Sequence, residues 1–135
     1  MPTASRRRSA DEAARADQVD ADPDAYRNDV FLSGRVAAPA DERELPSGDS
    51  LVTVRLIVDR DAATRKRSAQ RVDTLDCVAW TARVQRTLRT WSEGDRVEVS
   101  GALRRRFFRG TAGPVSRVEV EIRKARRISS RVAPG

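Results

Sequence analysis

From Asn28 the chain alternates apolar and polar residues with a period of two, which places Val30, Leu32 and Val36 on one face of a strand, with Gly34 leaving room between them. The stretch Pro39 to Asp49 is rich in acids and ends in Leu45-Pro46-Ser47-Gly48-Asp49, residues that turns favour for their backbone preferences. A second strand is expected from Leu51 to Asp59, where Val52, Val54, Leu56 and Val58 alternate with Thr53 and Arg55. Residues 60 to 71 break the pattern and read as a loop. Val72 to Trp80 reads as a third strand, with Leu75, Cys77 and Ala79 on one face and Thr74, Asp76, Val78 and Trp80 on the other. Between Thr81 and Ser92 the period turns helical, since Val84, Leu88 and Trp91 fall at i, i+4 and i+7. Thr81 suits the N-cap of that helix and Gly94 its C-terminal stop. Arg96 to Phe108 alternates again through Val97, Val99, Gly101 and Leu103, and after a turn from Arg109 to Pro114 a last strand runs through Val118, Val120 and Ile122.

The order is three strands, one helix, two strands. Five short antiparallel strands can close into a small barrel, which removes exposed edges, and the helix can plug its open end. The expected fold is therefore all-β: a five-stranded OB-fold barrel with one helix between its third and fourth strands. Residues 1 to 26 hold no sustained apolar pattern and cannot offset the entropy of ordering the chain, so they are expected to form a disordered tail, with a transient helix at most from Ala10 to Ala16. The expected domain spans 27 to 128, followed by a short free tail over 129 to 135. The chain shows no internal repeat of the length used by solenoids or propellers.

Composition narrows the function. A chain of 135 residues with 39% hydrophobic and 35% charged residues suits one small domain whose strands each have a wet face. The net charge is +7, carried almost wholly by arginine with Lys66 and Lys124 the sole lysines, so polyanions are the first partners to expect. Nucleic acid leads. An anionic membrane follows at a distance, because the basic residues fall on strands and loops rather than along an amphipathic helix with a broad apolar face. Cys77 is the single cysteine, which excludes an intrachain disulfide and suits a reducing cytoplasm. No run reaches the length of a membrane span and no apolar stretch of a signal peptide follows the N-terminus, so a soluble, intracellular, nucleoid-associated protein is expected. The sequence has no histidine, no metal-ligand cluster and no phosphate-cradling glycine motif. Asp73 and Asp76 fall on opposite strand faces, and Cys77 lacks a histidine to activate it. These features point away from an enzyme, a cofactor or a small-molecule substrate.

The N-terminal tail is close to neutral, so the basic excess lies in the domain. Arg60, Arg65, Lys66, Arg67 and Arg71 against Asp61 give the 60 to 71 loop a charge of +4. A solvated surface run is the plain alternative for such a loop. Arg104, Arg106 and Phe108 share one strand face by parity, while Val99, Gly101 and Leu103 on the other face are available to the core. A sequence-tolerant binder of single strands needs a basic groove with interleaved rings, because phosphates attract cations and bases stack on aromatic faces. Trp80 is a candidate stacking residue, with burial under a loop or at a subunit contact as its alternative. Trp91 belongs to the core by its helical spacing. Phe107 and Phe108 must point to opposite faces, so one is expected to pack inward and Phe108 to stay outside. The candidate binding residues are Arg35, Arg55, Arg65, Lys66, Arg67, Arg71, Trp80, Arg104, Arg106 and Phe108.

Asn28-Asp29-Val30-Phe31-Leu32-Ser33-Gly34-Arg35-Val36, then Pro39, then Leu45-Pro46-Ser47-Gly48 before a strand, resembles the opening of bacterial single-stranded DNA-binding proteins. Val78-Ala79-Trp80 before the helix, Gly94-Asp95-Arg96-Val97-Glu98-Val99-Ser100-Gly101 after it, and Leu103-Arg104-Arg105-Arg106 resemble that family's middle and late segments. The resemblance covers about residues 27 to 125. It implies an OB-fold that holds single-stranded DNA through aromatic stacking and basic residues, assembles as a homo-oligomer (tetramer or dimer), and supports replication, recombination or repair. Trp80 and Phe108 fall where the family places stacking aromatics. Thr74 and the neighbourhood of Ala62 occupy two further such positions without a ring, and aromatic residues are only 4% of the chain. The end, Ser129-Ser130-Arg131-Val132-Ala133-Pro134-Gly135, has none of the acidic, Phe-ended tail that recruits repair proteins in major family members, which favours an accessory role. The alternative reading is an OB-fold module that binds RNA or a protein partner within a nucleic-acid-processing assembly.

Overall fold

The computed structural model describes residues 25–131. The elements are β1 (Val30–Val36), β2 (Asp41–Glu44), β3 (Ser50–Asp59), α1 (Ala62–Arg67), β4 (Val72–Ala79), α2 (Ala82–Arg89), β5 (Arg96–Gly110) and β6 (Gly113–Ser129). The sheet order is β1-β5-β6-β4-β3-β2, and a further pairing of β1 with β3 closes the barrel. The expected tail over 1 to 26, with its transient helix, and the last four residues lie almost wholly outside the described residues.

Five strands, β1, β3, β4, β5 and β6, form the closed barrel expected from the alternation, and α2 sits in the chain between its third and fourth strands. Four differences from the sequence reading have physical causes. β2 adds a short edge strand inside the stretch read as turns, pairing Asp41–Glu44 with Ser50–Thr53. All four of its side chains are exposed and polar, so no alternation marks it. α1 occupies the middle of the 60 to 71 loop and is capped by Asp61, whose carboxylate accepts from the Thr64 N–H at 2.7 Å. It buries no residue, so it has no apolar face for a pattern to reveal. The strands are not all antiparallel either: β4 and β6 run parallel where Cys77 meets Val120. Finally, the sequence beyond Ser129 does not start free, because the Ser130 hydroxyl and the Arg131 N–H both donate to Asp95, at 3.3 and 3.2 Å.

The core gathers Val36, Val52, Val54, Leu56, Cys77, Ala79, Val97, Val99, Val120 and Ile122 from the strands and Val84, Leu88 and Trp91 from the helical segment. Trp91 is packed into the core as its spacing predicts, and its indole N–H has no hydrogen-bond partner. Thr81 caps α2 by accepting from the Val84 N–H. Gln85 is buried on the same helix, where its side-chain amide donates to the carbonyls of Ser50 and Ala79 at 2.9 and 3.1 Å, tying α2 to β3 and to the end of β4. After α2 the chain turns back at Gly94, whose φ of 87° lies in the left-handed region, and the Gly94 N–H donates to Val36 at 2.8 Å.

Gly101 marks where β5 and β6 come closest. A Cβ there would stand 1.8 Å from the Glu121 carbonyl oxygen, so only glycine fits without displacing β6. At this point the register slips, Ser100 facing Lys124 while Gly101 faces Ile122, which is a bulge on β6. Beyond it the β5–β6 hairpin leaves the barrel. β1 pairs with β5 no further than Gly101, β4 with β6 no further than Cys77 opposite Val120, and the Asn28 side chain clasps the Leu103 backbone at 2.7 and 2.8 Å. From Arg104 to Gly110 the two strands pair only with each other, a projection of roughly 20 Å at 3.4 Å per residue. Leu103, expected in the core, is 46% exposed for this reason: its parity is right but the barrel has ended.

Candidate nucleic-acid interface

The face of the sheet turned away from the core carries the side chains that alternate with it. On β3 and β4 these are Thr53 and Arg55, then Asp76 and, just past the end of β4, Trp80. On the hairpin they are Arg117, Glu119 and Glu121 from β6, with Arg104, Arg106 and Phe108 from β5. Cross-strand partners share a face, so the order β3-β4-β6-β5 lays these residues side by side.

Three of the four arginines on this surface already hold a carboxylate. Arg55 pairs with Asp76 at 3.1 Å, Arg104 with Glu121 at 2.7 Å, and Arg106 with Glu119 at 3.5 Å. The Arg106 guanidinium also lies over the Trp80 ring, 5.8 Å from its centroid. Arg117 lies over Phe108 at 5.3 Å and has no carboxylate partner among the described residues. Trp80 is 41% exposed and Phe108 40%, so each ring keeps an open part. Between the hairpin and the start of β2 runs a groove of about 430 Å³, lined by Arg43, Arg55, Arg106 and Arg117 with Asp41, Asp76 and Glu119, and by Pro39 at its rim. The exposed Arg55–Asp76 pair contributes only ~0–1 kcal/mol, so an incoming phosphate competes with Asp76 for Arg55 on near-equal terms, whereas Glu119 is buried and holds Arg106 more firmly.

The sequence-predicted residues thus divide. Arg55, Trp80, Arg104, Arg106 and Phe108 come together on one face. Arg35, Arg65, Lys66, Arg67 and Arg71 lie apart from Trp80. Trp80 follows the end of the β3–β4 pair where Val52 meets Ala79, whereas α1 leaves from the other end, where Asp59 meets Val72. Seven residues of strand, roughly 23 Å, separate the two. Arg35 is engaged with Asp59 at that far end, at 3.1 Å. There Arg65, Lys66 and Arg71 line a second, shallower concavity of about 320 Å³. The base of this loop is pinned by Arg60, which donates to both oxygens of Asp73 at 3.1 and 2.7 Å. That hydrogen bonding holds the Asp73 carboxyl below its ordinary range and raises the guanidinium of Arg60.

Sequence reasoning missed Arg43 and Arg117. Arg117 was legible in principle, since it precedes Val118 in the alternation of the last strand, but its place beside Phe108 depends on the hairpin register. Phe107 was expected to pack inward and does not: it is 73% exposed, because the hairpin has no core on either side at that point. Cys77 is buried, and burial first, then Asp76 and Glu119, push its thiol up to about 12. Among the described residues no group of histidine, cysteine or carboxylate side chains is arranged to hold a metal ion, and no helix is long and apolar enough to cross a membrane.

A closed five-stranded barrel with a helix between its third and fourth strands places this protein in the OB-fold class. Within that class, the model of the single-strand binding protein family matches residues 27–128, and the chain belongs to that family. Among solved structures 191 chains match. One is the single-strand binding protein of Plasmodium falciparum in complex with single-stranded DNA, with a TM-score of 0.63, 22% sequence identity, and coverage of 80% of this chain and 98% of that one. No curated protein matches the chain.

Proposed function

We propose that the chain binds single-stranded DNA, largely without regard to sequence, along the β3-β4-β6-β5 face, with bases stacked on Trp80 and Phe108 and phosphates on Arg55, Arg104, Arg106 and Arg117. The observation that carries this reading is the pairing of rings with guanidiniums on one surface, Arg106 over Trp80 and Arg117 over Phe108. Membership of the single-strand binding protein family supports it, as does the likeness to a protein solved with single-stranded DNA. Every base has a π-face and every nucleotide a phosphate, so stacking and charge together hold a strand of any sequence. Arg35, Arg65, Lys66, Arg67 and Arg71 extend the path toward the α1 end. The binding domain is residues 27 to 128. It acts without catalysis or cofactor, as a homo-oligomer in the cytoplasm, protecting strands during replication, recombination or repair, and its DNA preference over RNA is part of the proposal.

The test is a titration with oligo-dT at several salt concentrations, following tryptophan fluorescence. Trp91 is buried in the core, so quenching reports Trp80. Expected are quenching on binding and a log-log salt slope of about −3 to −4, from four to six phosphate contacts at roughly 0.7 each. Absence of both quenching and binding at low salt overturns the proposal.

A further inference from the structure

The projecting part of the β5–β6 hairpin has two faces, and only the front, with Arg104, Arg106 and Phe108, is used above. Residues at the other parity, Leu103, Arg105, Phe107 and Arg109 on β5, face the opposite way together with Ser116 and Val118 on β6. Phe107 is the most exposed ring of the barrel's own strands at 73%, and Leu103 and Val118 beside it are each 46% exposed. Arg105 touches only the Ser116 hydroxyl, at 3.2 Å, and neither Arg105 nor Arg109 has an ion-pair partner among the described residues. From Leu103 to Val118 the sequence carries five arginines and no acid. The front arginines nearer the barrel borrow carboxylates from Glu119 and Glu121; the back face has none to borrow.

We propose that the back of the hairpin is a second stacking surface for the same strand: the DNA crosses the hairpin from front to back, a base stacks on Phe107, and Arg105 and Arg109 hold its flanking phosphates. The inference rests on the single-strand reading above. An exposed ring beside arginines suits a polyanion with stackable bases. It does not suit a second copy of this chain, because two such faces brought together oppose arginine to arginine with no acid between them, a costly like-charge juxtaposition.

The experiment compares Phe107→Ala with Phe108→Ala on oligo-dT of about 6 and about 16 nucleotides, a span set by the site sizes of OB-folds, with molecular mass measured alongside. Both side chains are outside the core cluster, so both variants fold. Loss of one stack weakens binding about tenfold. Phe107→Ala is expected to weaken the long oligonucleotide by that factor and the short one less than twofold, whereas Phe108→Ala weakens both. A Phe107→Trp probe in a Trp80→Phe background is expected to be quenched by the long strand alone. Equal effects of Phe107→Ala on the two lengths, including no effect on either, overturn the crossing. A fall in mass overturns it in favour of a contact between copies. If Phe108→Ala and Trp80→Ala leave the short oligonucleotide unaffected, the front-face reading fails as well; if they act and Phe107→Ala does not, only the back face falls.

Discussion

Replacing Trp80 with alanine separates stacking from charge. Arg106 lies over one face of the indole and Trp80 is 41% exposed, so one base is the most it can hold. A base stacked on an aromatic ring is worth ~1–3 kcal/mol. The ring is only partly open, so the lower part of that range applies, ~1–2 kcal/mol, or about 5- to 30-fold in Kd. The charge count does not change, because Arg106 keeps Glu119 at 3.5 Å when the ring is gone. The number of phosphates neutralised is therefore the same and so is the salt slope. Binding of a labelled dT oligonucleotide, followed by anisotropy from low to moderate salt, should give two parallel lines in a log-log plot, the variant displaced by about one decade. Trp80→Phe should recover most of the displacement. Trp80 is not part of the core cluster, so the melting temperature should stay within a few degrees. Coincident lines refute stacking on Trp80. Lines of different slope refute the separation of ring from charge.

The remaining expectations are briefer. Arg117→Ala removes a guanidinium with no carboxylate partner, so it should lower the magnitude of the salt slope by about 0.7, read from the same titrations. Gly101→Ala puts a Cβ 1.8 Å from the Glu121 carbonyl oxygen and should cost about 3 kcal/mol in urea unfolding. Asp95 is held below the usual carboxylate range, first by the Ser92 N–H, then by the Arg131 N–H, Arg127 and Ser130. Its contribution to stability is full above the ~4 of an unfolded aspartate and is lost as pH falls through its lower folded value. Asp95→Asn should therefore lower the melting temperature at neutral pH and flatten its decline below about pH 4. Cys77, with its thiol pushed up to about 12, should resist a thiol reagent at pH 8 in the folded protein and react fully on unfolding.

Most of the barrel was legible because its residues keep a period that burial enforces. Val52, Val54 and Leu56 could only face the core, and Val84, Leu88 and Trp91 could only be one side of a helix. What stayed hidden had no burial to announce it. β2 is four exposed polar residues whose strand character comes from the free edge of β3, and α1 buries nothing. Alternation also tells which face a residue is on and not where the barrel ends. Leu103 and Phe107 therefore read as core residues although their side of the hairpin is open to solvent. Half of the candidate site was readable by parity within single strands, as with Arg104, Arg106 and Phe108. Arg43 and Arg117 enter only through pairings between strands, which a period of two does not encode. The split of Arg35 and the α1 cations from Trp80 is likewise a matter of which end of β3–β4 each occupies.

The charge arrangement also bears on the proposed binding of strands without regard to sequence. Arg55, Arg104 and Arg106 each hold a carboxylate in the free protein. A phosphate that takes one of these guanidiniums leaves a carboxylate without its partner, at greatest cost at the buried Glu119, so the contact is an exchange and its net gain is small. Small gains spread over several exchanges give binding that is weak per contact and steep in salt. On the projecting hairpin Arg105, Arg109 and Arg117 have no carboxylate partner among the described residues, so no exchange is needed there. If single strands bind as proposed, the hairpin arginines take phosphates without such an exchange, while Arg55, Arg104 and Arg106 give up a carboxylate for each phosphate they hold.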